Sequence, residues 1–536
     1  MKNKDTRPKN YSQYDPHLHG STQWATQKHL KERGYDQNGH HFLGYGLPER
    51  AGQPHYPITY GGARHFTTIA ATRSGKSVSV LVPNIMLAPG STVILDVKSG
   101  ELAMITARYR QSIGHNVALY DPYDVVASRL GMKSVQINLL DGINPDSDHA
   151  FDDAFLLADA LVIPERQGES HWSVEAQALV AGLSIAVKCK DEQTIISKSD
   201  LGVEGGDIGD VRAILNMNAS EFYRYINGTF AEDGKILARG MMQSRNPFVR
   251  AAAGRLSNKA EKELSGVIST AQKNTHFLES PLIRRSLSDS TFDLKELGNN
   301  RTDLYIIIPA DRIATSGRLI RALLSKTLAT VARLPKKPSP PVYFVIEEMA
   351  AIGRLEIVES SYGLMAGFGL QLHGVWQDLS QAKNLYPNSW QTFIANSACI
   401  QAFGTRDAFT AEYLSKMCGR TSIEQISNET AEKRASLFGD PKYFGADDRL
   451  EGRSLITPEE IMTMHPGVQL LILAGANPVM AYKTAYFLDR VYRDRRGRPL
   501  YDVLPEYQSG KQPPAIDFTN PKINVGALLD HYIKVG

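Results

Sequence analysis

Three short stretches carry side chains able to handle a phosphate ester. The first is Ala70-Ala71-Thr72-Arg73-Ser74-Gly75-Lys76-Ser77-Val78, preceded by the β-prone run that starts at Phe66 and followed by a periodic apolar segment (Val78, Val80, Leu81, Ile85, Leu87). Strand, tight loop and helix in that order is the setting of a phosphate-binding loop. Its backbone N–H groups and the helix N-terminus can cradle a β-phosphate. Lys76 is placed to reach the β- and γ-phosphates, and the Ser77 hydroxyl to ligate Mg²⁺. The usual first glycine is replaced by Ala70, which a strand end tolerates at negative φ; the close approach falls at Gly75, which is kept. Gly-Lys-Ser before a helix also arises by chance, so the remaining stretches decide.

The second stretch is Val342-Tyr-Phe-Val-Ile-Glu347-Glu348, an apolar strand ending in two carboxylates. In this Walker B arrangement the first acid, Glu347, holds Mg²⁺ and the second, Glu348, is the candidate general base. Glu347 stands where aspartate is usual, and the added methylene displaces a carboxylate facing an ion of strict octahedral geometry. The third stretch is Gln371–Trp376 followed by Gln377, whose amide can orient water or sense a γ-phosphate. Val93–Leu95 ends in Asp96 and Lys98, and strand carboxyl ends line the ligand crevice of open α/β sheets.

The elements that must position these groups read as α/β. After the loop come a strand to Asp96, a helix Ala103–Ile113 and a strand Val117–Tyr120. Residues 144–290 turn helical (Ala150–Val162, Ser173–Lys188, Asp210–Asn216, Ala219–Ile226, Pro247–Phe277) and read as an inserted all-α domain. Strands return at Leu304–Ile308, at Val342, at Gln371–Trp376, in the run from Asn396 to Phe403, and at Gln469–Ala474 and Thr484–Leu488. The reading divides the chain into a leader (1–60, irregular but for one helix near Thr22–Lys31), nucleotide-binding parts 61–143 and 291–490, the insertion, and a tail 491–536. The basic stretch with Arg250, Arg255, Lys259 and Lys262 is a candidate DNA contact; a solvated helix face explains it equally well.

Across 536 residues, 60 basic and 57 acidic side chains give a net charge of +3, which permits nucleic acid without arguing for it. Three cysteines, with no C-x-x-C, suggest neither a disulfide frame nor zinc. His17, His19, His40 and His41 match no zinc spacing. No apolar run approaches the ~20 residues of a membrane span, and the N-terminus lacks a signal-peptide core, so a cytoplasmic protein is expected.

Taken together these stretches resemble the type IV coupling proteins, the ATPases of conjugation and type IV secretion. The likeness runs through Thr72–Ser77, Ile94–Leu102, Tyr109-Arg110, Asp121-Pro122, Trp172–Leu183, Glu347–Arg354, Gln377–Gln381, Phe403–Asp407 and Leu455–Ile461, with Gly20–Thr26 as the family's entry segment. It covers roughly residues 18 to 490 in the family's order. The resemblance implies a RecA-like P-loop domain with an inserted all-α domain, ATP and Mg²⁺ as cofactors, and a homo-hexameric ring, with a monomer in isolation as the alternative. It implies recruitment of relaxase-bound DNA or effector proteins to a secretion channel at the cytoplasmic face of the bacterial inner membrane. A neighbour's arginine would complete each site, with Arg354, Arg406 and Arg420 as candidates. Most relatives carry an N-terminal membrane anchor; without one here, membrane association is expected through a partner protein or an anchor trimmed from the chain. The rival function is a receptor platform that binds nucleotide, hardly hydrolyses it and presents secretion substrates; a DNA-packaging motor is a third reading.

Overall fold

The computed structural model describes residues 20–35, 39–47, 55–163, 170–189, 206–234, 236–425 and 449–503. The apolar runs assemble into one sheet of eleven strands. In chain order they are β1 (His41–Gly46), β2 (Tyr56–Tyr60), β3 (His65–Ile69), β4 (Thr92–Asp96) and β5 (Asn116–Tyr120). After the helical insertion come β8 (Thr302–Ile307), β9 (Val342–Ile346), β10 (Leu370–Trp376), β11 (Ser397–Ala402), β14 (Val468–Leu473) and β15 (Val479–Tyr482). The order across the sheet is β2-β1-β15-β14-β11-β3-β10-β9-β4-β8-β5. From β11 to β5 every pairing is parallel, and from β11 to β2 every pairing is antiparallel.

Parallel strands are buried on both faces, which is why these segments read as unbroken apolar runs. Alternate residues serve the two sides. Ile94, Tyr305 and Val345 pack with the helix after the phosphate loop and with the helix Glu101–Ser112. Val93, Leu95, Phe344 and Ile346 pack against the other layer, which continues into the insertion. There the helix Ile313–Ala332 lies against the helix Ala150–Leu161. Among the described residues between β5 and β8, the regular elements are helices except for the paired strands β6 (Thr229–Phe230) and β7 (Ile236–Ala238).

The sequence reading needs four corrections. Within the leader expected to be irregular, His41–Gly46 and Tyr56–Tyr60 are strands: β1 and β2 pair onto the sheet edge through β15, a partner more than 430 residues away. The expected helix Pro247–Phe277 is two helices, Pro247–Ser257 and Glu261–Thr275, broken at Asn258 to Ala260. The last strand is Val479–Tyr482 rather than Thr484–Leu488, which turns back across the phosphate-loop helix. A hairpin of β12 (Arg420–Gln425) and β13 (Arg449–Ser454) went unread.

Two buried polar clusters pin the sheet. Asp303 on β8 accepts from Arg110 Nε and Nη2 at 2.9 and 3.0 Å and from the Thr92 N–H and hydroxyl at 3.0 and 2.8 Å. Arg110 is fully buried and also donates to the Ala88 and Gly90 carbonyls. Removing one partner from such a pair strands a buried charge, so Asp303→Ala should cost about 3–5 kcal/mol. Denaturant unfolding that shows a loss under about 1 kcal/mol would contradict this. The second cluster joins His373 on β10 to Thr68 on β3 (2.7 Å) and Tyr343 on β9 (2.6 Å). Burial pushes His373 and His41 down to about 3, and His65 to about 4. The unfolded chain takes up these protons below about pH 6.5 while the folded one does not. Stability from this source is therefore complete above that pH and lost as pH falls. The thermal midpoint should drop between about pH 7.5 and about pH 5, and a flat profile over that range would contradict the reading.

Candidate nucleotide-binding site

The phosphate loop leaves β3 at Ala70, whose N–H donates to the Trp376 carbonyl at the tip of β10 (2.9 Å). Ala70 is buried, as its place at a strand end requires. The loop then turns through left-handed backbone at Arg73 (φ 61°) and Gly75 (φ 88°). Gly75 meets this at little cost, whereas Arg73 holds it against its own Cβ. Ser74 closes the turn by donating its hydroxyl to the Ala71 carbonyl (2.6 Å). Thr72 and Arg73 are exposed, Ala71 and Ser74 half-buried, and Lys76 and Ser77 buried. The helix that follows opens with a wide π-type turn, Ser77–Leu81, and Val78 lies at its start.

Lys76, only 3% exposed, points to the edge where β9 and β10 end. Its Nζ lies 3.6 Å from Glu348 Oε2, which also accepts from Gln377 Nε2 at 3.0 Å. Glu347 is fully buried, and its Oε1 accepts from Ser77 Oγ (3.1 Å) and from Lys98 Nζ (2.8 Å). The phosphate-loop strand and the carboxylate strand are not neighbours: β10 runs between them. That order brings Gln377, just past the tip of β10, to the same Glu348 oxygen that Lys76 faces. Gly374 makes it possible, because a Cβ there would fall 2.7 Å from the Tyr362 hydroxyl and 3.0 Å from Met349 Sδ, directly behind Glu348.

Burial, then Lys98, lowers the Lys76 pKa below the usual lysine range. Asp96, fully buried, accepts from the Lys98 and Ala103 N–H groups; burial and then the Glu347 charge push it up to about 7. Glu347 Oε2 and Glu348 Oε1 are buried with no hydrogen-bond partner. Such atoms are costly unless something completes them. The donor set fits Mg²⁺: Ser77 Oγ lies 3.1 Å from Glu347 Oε1, the second Glu347 oxygen is buried without a partner, and no cluster of three or more His, Cys, Asp or Glu forms a cation cage among the described residues. Mg²⁺ is ordinarily held by one or two protein groups, with phosphate and water supplying the rest.

The other expected residues lie elsewhere. Arg354 is exposed, 3.6 Å from Glu356 of its own chain; Arg406 is exposed beyond β11; Arg420 is exposed and donates to the Gly452 carbonyl (2.9 Å). Arg250 donates to the Ser244 and Arg245 carbonyls. Arg255 is bound to Glu175 (Nε–Oε2 2.9 Å), and Lys259 reaches Glu175 (3.0 Å) and Glu263 (2.7 Å). The basic stretch is therefore partly neutralised by an acid from another helix, a correction that local charge counting does not see; Lys262 is exposed. Lys483, which sequence reasoning missed, donates from Nζ to the Ser74 carbonyl at 3.1 Å. Of the four histidines weighed as a metal site, His17 and His19 lie outside the described residues, and His41 instead meets Gln371 Oε1 at 2.6 Å.

Fold and site together define a RecA-like P-loop fold with a helical insertion. Solved structures of the conjugative coupling protein TrwB lacking its N-terminal segment share this fold: the unbound form has a TM-score of 0.58 at 15% identity, covering 86% of this chain and 92% of that one. The family model described as type IV secretory system conjugative DNA transfer matches residues 23–509, and the chain belongs to that family. It is similar to the conjugal transfer protein TraG of Escherichia coli, 27% identical over 91% of this chain and 80% of the relative. It is likewise similar to VirD4 of Agrobacterium fabrum, 25% identical over 89% of this chain and 67% of the relative.

Ser77→Ala tests the metal assignment without stranding a buried charge. Affinity for Mg²⁺-nucleotide should fall roughly ten- to hundredfold. Affinity for metal-free nucleotide should change less than about threefold. Equal losses in calorimetric titrations with and without chelator would contradict the role.

Proposed function

We propose that this chain hydrolyses ATP to move DNA, as a relaxase-bound strand, into a type IV secretion channel. The observation that carries the reading is the contact of Lys76 with Glu348 at 3.6 Å, with Gln377 bonded to the same carboxylate. An arriving triphosphate competes for Lys76 and releases Glu348 to take the proton of an attacking water. Gln377 loses or keeps its bond to Glu348 according to the state of the site, which couples the strand tip to hydrolysis. Ser77 and Glu347 would hold Mg²⁺, which when bound offsets charge on the phosphates. TrwB has been solved with ADP and Mg²⁺ and with a non-hydrolysable ATP analogue, which supports the same pair of cofactors here.

The working form is a homo-hexameric ring at the cytoplasmic face of the inner membrane, served by channel components and a relaxosome. Arg354, Arg406 and Arg420 are surface residues available to a neighbouring subunit's nucleotide. No helix among the described residues is long and apolar enough to cross a membrane. The helical insertion is the proposed substrate-facing part, with Arg250, Arg255 and Lys262 the exposed members of its basic stretch.

Two measurements test the proposal. ATPase activity should rise with added DNA and vanish in Lys76→Ala. Glu348→Gln should bind an ATP analogue yet hydrolyse ATP roughly 10²–10⁴-fold more slowly. Nucleotide binding without turnover in the unaltered protein, together with capture of relaxase or effector by the helical insertion, favours the receptor platform instead.

A further inference from the structure

The charged group nearest the phosphate loop that the mechanism leaves unused is Lys483. It follows β15, and its N–H donates to the Gly467 carbonyl (2.9 Å). Its side chain runs inward to the outer side of the loop, where Nζ donates to the Ser74 carbonyl at 3.1 Å and lies 3.9 Å above the ring of Phe403. The residue is 6% exposed, and among the described residues no carboxylate forms an ion pair with it. Among the described residues, the titratable group its charge reaches is His465, whose pKa falls through burial and then through Lys483. Three residues on, the Tyr486 N–H donates to the Val78 carbonyl (3.3 Å), so the same segment braces the helix behind the loop.

We propose that Lys483 is a positioning residue of the phosphate site, holding the Ser74–Gly75 peptide from behind and supplying a positive charge that the bound triphosphate stabilises. The inference rests on the loop being a nucleotide site. An ammonium on the Ser74 carbonyl fixes the peptide so that its Gly75 N–H faces the other way, toward the phosphates, and polarises that donor. The loop needs such a brace because it passes left-handed backbone on both sides of Ser74. A buried cation facing only a carbonyl and a ring is poorly compensated, consistent with a pKa lowered by burial to about 7. The cost falls on the nucleotide-free state, and the Coulombic return appears when phosphate binds on the other face of the same peptide, in a low-dielectric site. A lysine kept for fold stability would be balanced in the free protein, which this one is not.

The test compares Lys483→Met and Lys483→Arg in the full chain, measuring affinity for a non-hydrolysable ATP analogue with Mg²⁺, steady-state kinetics, and the thermal midpoint without nucleotide. Lys483→Met should weaken binding and raise KM roughly tenfold, with kcat within about twofold, because a charge-assisted bond to the loop is lost. The nucleotide-free midpoint should hold or rise. Lys483→Arg should keep affinity within about threefold. Unchanged affinity in Lys483→Met, a lowered midpoint, failure of that variant to fold, or equal loss in Met and Arg would each overturn the proposal. If the unaltered protein binds no nucleotide, the reading of the loop itself fails, which is a different result.

Discussion

Two lysines and two glutamates share one buried edge of the sheet, and much of the architecture serves to keep them there. Lys76 faces Glu348, and Lys98 faces Glu347, with Glu347 fully buried and Lys76 nearly so. Each charge alone would be prohibitive in that setting; paired, they roughly balance. The balance is also what makes the site responsive. A triphosphate brings negative charge and its metal positive charge, so every ligand that fits rearranges these pairs instead of filling an indifferent hole.

The four side chains come from the ends of β3, β4 and β9, and β10 adds Gln377. Their mutual placement depends on strand register, which buried cross-links hold. His373 ties β10 to β3 and β9 through Thr68 and Tyr343, and Asp303 ties β8 to β4 and to Arg110. A third link leads outward. Arg321 donates to Ala160 at the end of an insertion helix (2.8 Å) and to Ile352 just past Glu348 (3.1 Å). Through Arg321 the helical insertion and the short turn after Glu348 are held together as one packed unit.

How much of this the chain discloses locally follows from the range of each interaction. The phosphate loop, the two glutamates and Gln377 were legible because each lies at a boundary between an apolar run and a polar turn, and the chemistry is written within a few residues. Asp96 and Lys98 were legible for the same reason. The sheet edge was not, because β1 and β2 join the sheet only through the distant β15, and their own polar, histidine-rich surroundings hide the period. Nor was the position of β10 between β3 and β9, since strand order is set by crossovers and not by composition. Arg255 and Lys259 read as a basic face until Glu175 is seen against them. Lys483 carried no signal at all: a lysine after a strand is ordinary, and only the fold brings it behind Ser74.

The central claim is that Lys76, Glu347 and Glu348 meet a single magnesium–triphosphate. The most direct check is a structure of the protein with Mg²⁺ and a non-hydrolysable ATP analogue. The account requires the γ-phosphate between Lys76 and Gln377, the metal on Ser77 and Glu347, and Glu348 released from Lys76. A nucleotide bound elsewhere, or Lys76 still paired with Glu348 beside the phosphates, would contradict it.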